Sequence, residues 1–409
     1  MYIKIKAIRI TQPLSDFFVF TMKAKHLLDL CFTDPIRYKA DGELTGSQRK
    51  LDEERRLKSI TKYVNSKDLA LPNSIVIAAN YNEEGFVEEN ETLRWKFEKI
   101  DEELYEISIP ENKRLASVID GQHRLFSFRE ASLERLETDL LVSAYFDLPL
   151  PLQAFIFATI NYNQKPVSKS YAMEQFGYYL ETNKPETWTP ELLGVFFSRK
   201  MNLDQDSIFF NRIKVAPQDS QNLLTLDQKE LDWKISMSTS VFGIIKLFTN
   251  NAKRDADTMG FYDFELRRRM LLKKINDKSV LREYYLEGND VLIYTIINNF
   301  FIAVSEQLIK PSSSTSFIKK TTGISALFKL LEFLLKEYLS LKDIRVDLFR
   351  EKIAPLTEID FSDTFFQVPS SSGTSKIYNT MLVKLGHKDI LSIINEEDRI
   401  NISKLTKKN

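Results

Sequence analysis

The run Asp120-Gly121-Gln122-His123-Arg124 is the densest group of chemistry-bearing side chains in the sequence. It closes an apolar β-branched run, Val118-Ile119, and opens a helix-compatible segment, Arg124 to Leu136, so a strand, a turn and a helix are expected in that order. Gly121 permits a backbone conformation that a Cβ would penalise and lets a ligand come close. Free N–H groups at a helix start, together with the macrodipole, favour an anion there. Arg124 can fork two donors onto a phosphate, and His123 can add a hydrogen bond or a proton near neutral pH. Asp120, at the strand end, could hold magnesium or orient a water. The same five residues also suit a plain tight turn, with Asp120 capping the helix and Arg124 paired to a carboxylate.

Three other groups can meet phosphate. Arg267-Arg268-Arg269, followed by Lys273-Lys274, lies on a helix-compatible stretch that could track a DNA backbone. Its alternative is a solvated helix face balanced by Glu265 and Asp277. Lys319-Lys320 precedes Thr321-Thr322-Gly323 and could neutralise phosphate at a helix start. Ser371-Ser372-Gly373-Thr374-Ser375 reads as an N-capped surface loop before a helix-like run, Lys376 to Leu385, and small residues in that place can cradle an anion. His26 and His387 read as structural or solvated, and Cys31, between Leu30 and Phe32, as a buried apolar residue.

Composition narrows the chemistry. Across 409 residues, 57 Lys+Arg balance 57 Asp+Glu, so any phosphate-binding surface must be local. A hydrophobic share of 43% with 29 Phe argues for packed cores rather than disorder. One cysteine and three histidines exclude a disulfide framework and a thiolate zinc site, and leave almost no material for a multi-histidine one. No Gly-Lys-Ser/Thr occurs, so nucleotide hydrolysis would not be of the P-loop type. Neither Gly-x-Gly-x-x-Gly nor Gly-x-Ser-x-Gly is present. The longest nearly apolar run, Val291 to Val304, is interrupted by Asn298 and Asn299 and falls short of the roughly 20 residues of a membrane helix. Met1 to Lys6 alternates like a strand and lacks the apolar core of a signal peptide. A reducing cytoplasm is the expected compartment, with no membrane partner.

The elements that must position these residues change in kind along the chain. Short strand-like runs come first: Asn73 to Ala79, Leu104 to Ile109, Leu115 to Ile119 and Leu140 to Phe146, with a helical pattern from Asp52 to Val64. After residue 185 the apolar residues fall at helical spacing, as in Val241, Ile244, Ile245 and Phe248, or Ile324, Leu327, Leu330, Leu331, Leu334 and Leu335. The reading is an α+β protein, with a domain over 1–185 that carries the turn and a mostly helical domain over 186–409.

Letter for letter, Asp120 to Arg124 is the signature of the DGQHR-domain family, and other segments resemble that family in the same order. They are Gly46-Ser47-Gln48-Arg49 with Arg55-Arg56 and Ile60-Thr61-Lys62-Tyr63, then Pro72-Asn73-Ser74-Ile75-Val76, then Phe157-Ala158-Thr159-Ile160-Asn161 with Gln164-Lys165-Pro166-Val167. Weaker echoes run to Gly323-Ile324-Ser325-Ala326-Leu327, so the resemblance covers roughly residues 45 to 330. It implies a ParB/sulfiredoxin-like N-terminal domain, in which Gly121, His123 and Arg124 contact nucleotide phosphates and Asp120 and Gln122 complete the motif. By the same resemblance Gln48 and Arg49 approach that pocket, and Asn161 and Gln164 line it. Known relatives are DndB-like proteins of DNA phosphorothioate modification and DpdB-like proteins of 7-deazaguanine modification. The resemblance therefore implies ATP (or another nucleotide) with Mg2+, DNA and the modification enzymes of the same gene cluster as partners in a phage-defence setting, with homo-oligomerisation left open. Two functions follow: an ATPase that assists modification, with Asp120 and His123 as its catalytic residues, or a non-enzymatic DNA-binding regulator of the modification genes.

Overall fold

A computed structural model of the chain describes residues 2–33, 37–38, 44–45, 54–111, 113–162, 184–214, 233–338 and 344–407. The protein is α+β and divides into two compact units. The first comprises Met1–Pro166 with Gly260–Phe264, and the second Val167–Met259 with Glu265–Asn409.

The first unit is built on β1 (Tyr2–Ile10), β2 (Phe17–Lys23), α1 (Ala24–Leu30), β3 (Cys31–Phe32) and a two-strand ribbon, β4 (Arg37–Tyr38) and β5 (Leu44–Thr45). There follow α2 (Glu54–Asn65), β6 (Ile75–Ala79), β7 (Lys96–Lys99), β8 (Leu104–Pro110) and β9 (Ala116–Asp120). Next come α3 (Gln122–Phe126), α4 (Leu133–Leu136), β10 (Asp139–Phe146) and α5 (Leu150–Tyr162). One mixed sheet of eight strands has the order β3-β9-β6-β10-β2-β1-β8-β7. Its β6 runs parallel to β10 and antiparallel to β9.

Alternation along these strands feeds two cores, as a sheet covered on both faces requires. Ile75, Ile77, Val118, Val142 and Ala144 pack on one face with Leu27, Val64, Leu125 and Phe126 from the helices α1 to α3. Ala78, Ile119 and Tyr145 face the other way, onto Ile156, Phe157 and Ile160 of α5.

The segment Arg124 to Leu136, expected as one helix, is three short pieces: α3, a 3-10 turn at Ser127–Glu130, and α4. Ala131 and Ser132 are extended (ψ 163° and 153°) and break the run. Thr61 Oγ1 of α2 donates to the carbonyl of Ser127 at 3.0 Å, which fixes the turn against α2.

The second unit contains α6 (Pro190–Leu203), a parallel pair β11 (Ile213–Lys214) and β12 (Ile235–Ser236), α7 (Met237–Ile245), α8 (Ala252–Gly260) and α9 (Arg282–Leu286). It continues with α10 (Asp290–Val304), α11 (Thr321–Tyr338), α12 (Val346–Ile353), α13 (Ser370–Lys384) and α14 (Glu396–Thr406). The helical stripes of the sequence meet in one core, with Phe248, Phe300, Phe301, Leu331 and Phe349 fully buried. A π turn at Ser305–Ile309 extends α10, so Asp290–Ile309 is 20 residues long and apolar enough to cross a membrane by length and composition. The apolar run expected from the sequence ends at Val304, and the π turn carries the helix five residues past it. Ile293, Ile296, Ile297, Phe300 and Phe301 of this helix lie in the core of the unit.

Two further segments differ from expectation. Arg267 to Lys274 forms no α-helix; 3-10 turns occupy Phe264–Leu266 and Arg269–Lys274. Ser371 to Ser375 lies inside α13 rather than in a loop before it, because the helix already starts at Ser370, after Pro369 in extended conformation.

Candidate functional site

Asp120 ends β9, Gly121 turns the chain and α3 begins at Gln122. The strand–turn–helix layout expected from the motif is therefore present. Pairing of β9 with β6 slips at this point: Ile77 faces Val118, whereas Val76 faces Asp120. The extra residue, Ile119, makes a bulge, and a bulge bends a strand and re-aims the side chains next to it. Gly121 adopts φ +92°, the left-handed region, and accepts the N–H of Leu125 at 2.9 Å on its carbonyl. A Cβ there would stand 2.8 Å from Ile75 Cδ1 and 3.1 Å from Arg124 Nη2. Glycine is needed both for the backbone angle and for the room.

Arg124 folds back over this glycine. Its Nη2 donates to Asp120 Oδ2 at 2.8 Å, and its Nη1 to the carbonyl of Asn73 at 2.5 Å. Both side chains of the pair are about a quarter exposed, at 22% for Arg124 and 26% for Asp120. Gln122 is buried and His123 half-buried on the same short helix. Ser127 Oγ donates to the carbonyl of Arg124 at 2.8 Å and fastens the far end of α3. The turn thus brings Asp120, Gly121 and Arg124 into one contact set. Asn73 lies in the Pro72–Val76 segment of the resemblance, but its contact with Arg124 is through a backbone carbonyl, which any residue type supplies and no sequence pattern marks. Of the remaining pocket candidates, Gln48, Arg49 and Gln164 lie outside the described residues. Asn161 lies in the last turn of α5, with its side chain outside what is described.

Magnesium can be weighed on the same geometry. Among the described residues no three His, Cys, Asp or Glu side chains come together as a metal site. Oδ2 of Asp120 is already engaged by Arg124. The turn offers one carboxylate oxygen, which fits an ion held mainly by a nucleotide's own phosphates and waters, and not a protein-built cage.

The arginine run of the helical unit separates into unlike residues. Arg268 is exposed and Arg267 half-buried. Arg269 is 1% exposed, and both its Nη atoms donate to the carboxylate of Asp290, at 2.5 and 3.0 Å. It also donates to the carbonyls of Trp188 and Tyr285, both at 3.3 Å, and lies 4.8 Å from the Tyr285 ring centre. A guanidinium so fully used inside a core has no face left for a DNA phosphate. The surface expected to carry three arginines carries Arg267 and Arg268, with Lys273 and Lys274 exposed beside them.

The two remaining histidines and the cysteine are in structural surroundings. His387 meets the Phe333 ring edge-on at 5.0 Å, and His26 lies in α1. Cys31 is wholly buried, and burial pushes its thiol up to about 12.

No curated protein and no solved structure matches the chain. A family model does: DndB, described as DNA-sulfur modification-associated, matches residues 5–197. The match starts earlier than the motif resemblance did and ends before Arg267. Residues 5–197, just under half of the chain and the segment that holds the Asp120–Arg124 turn, are thus similar to a family described as DNA-sulfur modification-associated.

Proposed function

We propose that this chain binds a nucleotide at the Asp120–Arg124 turn and acts as an ATPase beside the enzymes of a DNA-sulfur modification system. The observation that carries the reading is the storage of Arg124. Its fork is held by one carboxylate and one carbonyl at a strand–helix junction, folded over a glycine whose missing Cβ lets the guanidinium lie close. A phosphate offers the same fork a stronger acceptor set, so binding exchanges Asp120 for phosphate oxygens. Asp120, released from Arg124, is then free to hold magnesium or to orient a water. His123 supplies a hydrogen bond, Gln122 completes the turn, and Gln48, Arg49, Asn161 and Gln164 are assigned to the pocket by resemblance. Calorimetric titration with ATP, CTP and GTP in magnesium, with phosphate release followed in parallel, tests the reading. Unchanged affinity in Arg124→Ala would remove the clamp.

A second reading, a non-enzymatic DNA-binding regulator of the modification genes, is favoured by the exposed Arg268 and Lys273. Backbone binding of that kind weakens steeply with salt. Duplex affinity that stays flat between low and moderate salt would count against it.

A further inference from the structure

We propose that the helical unit carries its own phosphate site, a cleft that takes a phosphorylated ligand of nucleotide size. Two cavities, of about 320 and 650 Å³, adjoin there and share Ser325, Ser371 and Thr374 in their walls. Lys246 and Lys329 line the first, and Lys234 and Lys320 the second. Glu332 is the one carboxylate on either lining among the described residues, and it also stands 3.7 Å from Lys336, outside the cleft. Lys234, Lys246 and Lys320 make no ion pair among the described residues.

Four cations against one shared carboxylate leave positive charge uncompensated in a concavity, and low-dielectric walls focus such a field. The crowding is felt within the protein. The Lys329 ammonium is held below the ordinary lysine range by burial and by repulsion from Lys246. An anion would relieve that repulsion, whereas water alone does not neutralise it.

The helix starts add donors to these charges. The first turns of α11 and α13 both border the larger cavity, through Thr321 and Thr322 and through Ser370 and Ser371. Gly373 lets them come together. A Cβ at that position would lie 1.8 Å from the carbonyl oxygen of Val368 and 3.2 Å from Thr322 Cγ2. The hydroxyls of Ser325 and Ser371 make no hydrogen bond within the described residues. Phe242 and Phe328 form an apolar wall on the smaller cavity.

Concavity decides the class of ligand. Cavities of a few hundred Å³ with an apolar wall and a few convergent polar groups suit a small molecule. A duplex instead needs phosphate contacts spread along an open stripe. This site is distinct from the Asp120–Arg124 turn and does not rest on it.

The full chain carrying Arg124→Ala removes the turn from the measurement. Pyrophosphate and ATP titrated into that protein should still bind. Adding Lys246→Gln with Lys320→Gln should weaken both by about tenfold or more, as expected for lost hydrogen bonds to a charged group. The pair Lys246→Arg with Lys320→Arg should keep the affinity. A second readout needs no cleft variant: ATP should shield Lys246 and Lys320 from amine acetylation, mapped by mass spectrometry. No binding of either probe by the Arg124→Ala protein, unchanged affinity in the glutamine pair, or unshielded lysines would each overturn the proposal. Loss of duplex DNA binding, with no ATP binding to lose, would overturn the nucleotide assignment and give the cleft to a DNA backbone.

Discussion

Nη2 of Arg124 stands 2.8 Å from Oδ2 of Asp120, four residues earlier, so the strongest cation of the turn is neutralised by the residue that begins it. A partly exposed pair of this kind contributes at most about 1 kcal/mol, and an incoming phosphate must displace it. Asp120→Asn should therefore raise ATP affinity by roughly fivefold while lowering phosphate release. Arg124→Ala should abolish binding at the turn. Calorimetry and a phosphate-release assay on the two variants separate storage from clamping; weaker ATP binding by Asp120→Asn would end the exchange scheme.

Gly121 should not tolerate a side chain. Its left-handed angle costs a non-glycine residue about 1–2 kcal/mol, before the 2.8 Å approach to Ile75 Cδ1 is counted. Gly121→Ala is expected to lower the melting temperature by several degrees, read by circular dichroism. An unchanged melt would mean that the turn relaxes at no cost.

Neighbouring arginines should behave oppositely. Arg269→Met leaves Asp290 without its partner inside the second unit and should cost about 3–5 kcal/mol in denaturant unfolding. Arg268→Ala should stay within about 0.5 kcal/mol of wild type. If the run does grip DNA, the Arg268 change should lower the salt slope of binding by about one.

Glu191 gives the helical unit a dependence on pH. Its Oε2 is buried with no hydrogen-bond partner, and burial, with the charges of Asp255 and Asp257, raises its pKa above the ordinary glutamate range. The folded protein then holds this proton more tightly than the unfolded chain does. The group's stabilising contribution is full below the ordinary carboxylate range and is lost as pH rises through the raised folded value. Glu191→Gln should raise the melting temperature at pH 8, with the gain shrinking towards pH 4. A gain that is constant with pH would exclude titration of Glu191 as its source.

Cys31 should be inert in the native state. A buried thiol raised to about 12 holds almost no thiolate at pH 8. Iodoacetamide should label it only after denaturant is added, as counted by intact mass. Native labelling would show that β3 opens.

The first unit was legible wherever one residue face was buried. Ile75 to Ala79 and Leu140 to Phe146 announced strands as short β-rich apolar runs bounded by polar residues, and the Asp-Gly step announced the turn. The edge strand Lys96–Lys99 left no such signal, because all four side chains are exposed. The helix drawn from Arg124 to Leu136 failed for a local reason: its pattern is apolar enough for a helix, yet the chain leaves it at Ala131. Arg269 failed for a distant one. Its partners, Asp290, Tyr285 and Trp188, lie 16 to 81 residues away, so no spacing rule could separate it from Arg268. Ser371 to Ser375 was read as a capped loop before a helix from Lys376, whereas the helix already begins at Ser370, so its start was placed several residues too late. Only the fold showed that Lys320 and Ser371 line one cavity.

The long apolar helix Asp290–Ile309 also sets conditions on biosynthesis. Phe300 packs edge-on against Phe349 at 5.5 Å, and Asn299 Nδ2 donates to the carbonyl of Ile344 at 2.9 Å. Those partners leave the ribosome about fifty residues later, so a nascent chain carries a membrane-like helix before that part of its cover has been made. Premature stops between these positions would strand that surface, and chaperone capture of the fragments should peak there.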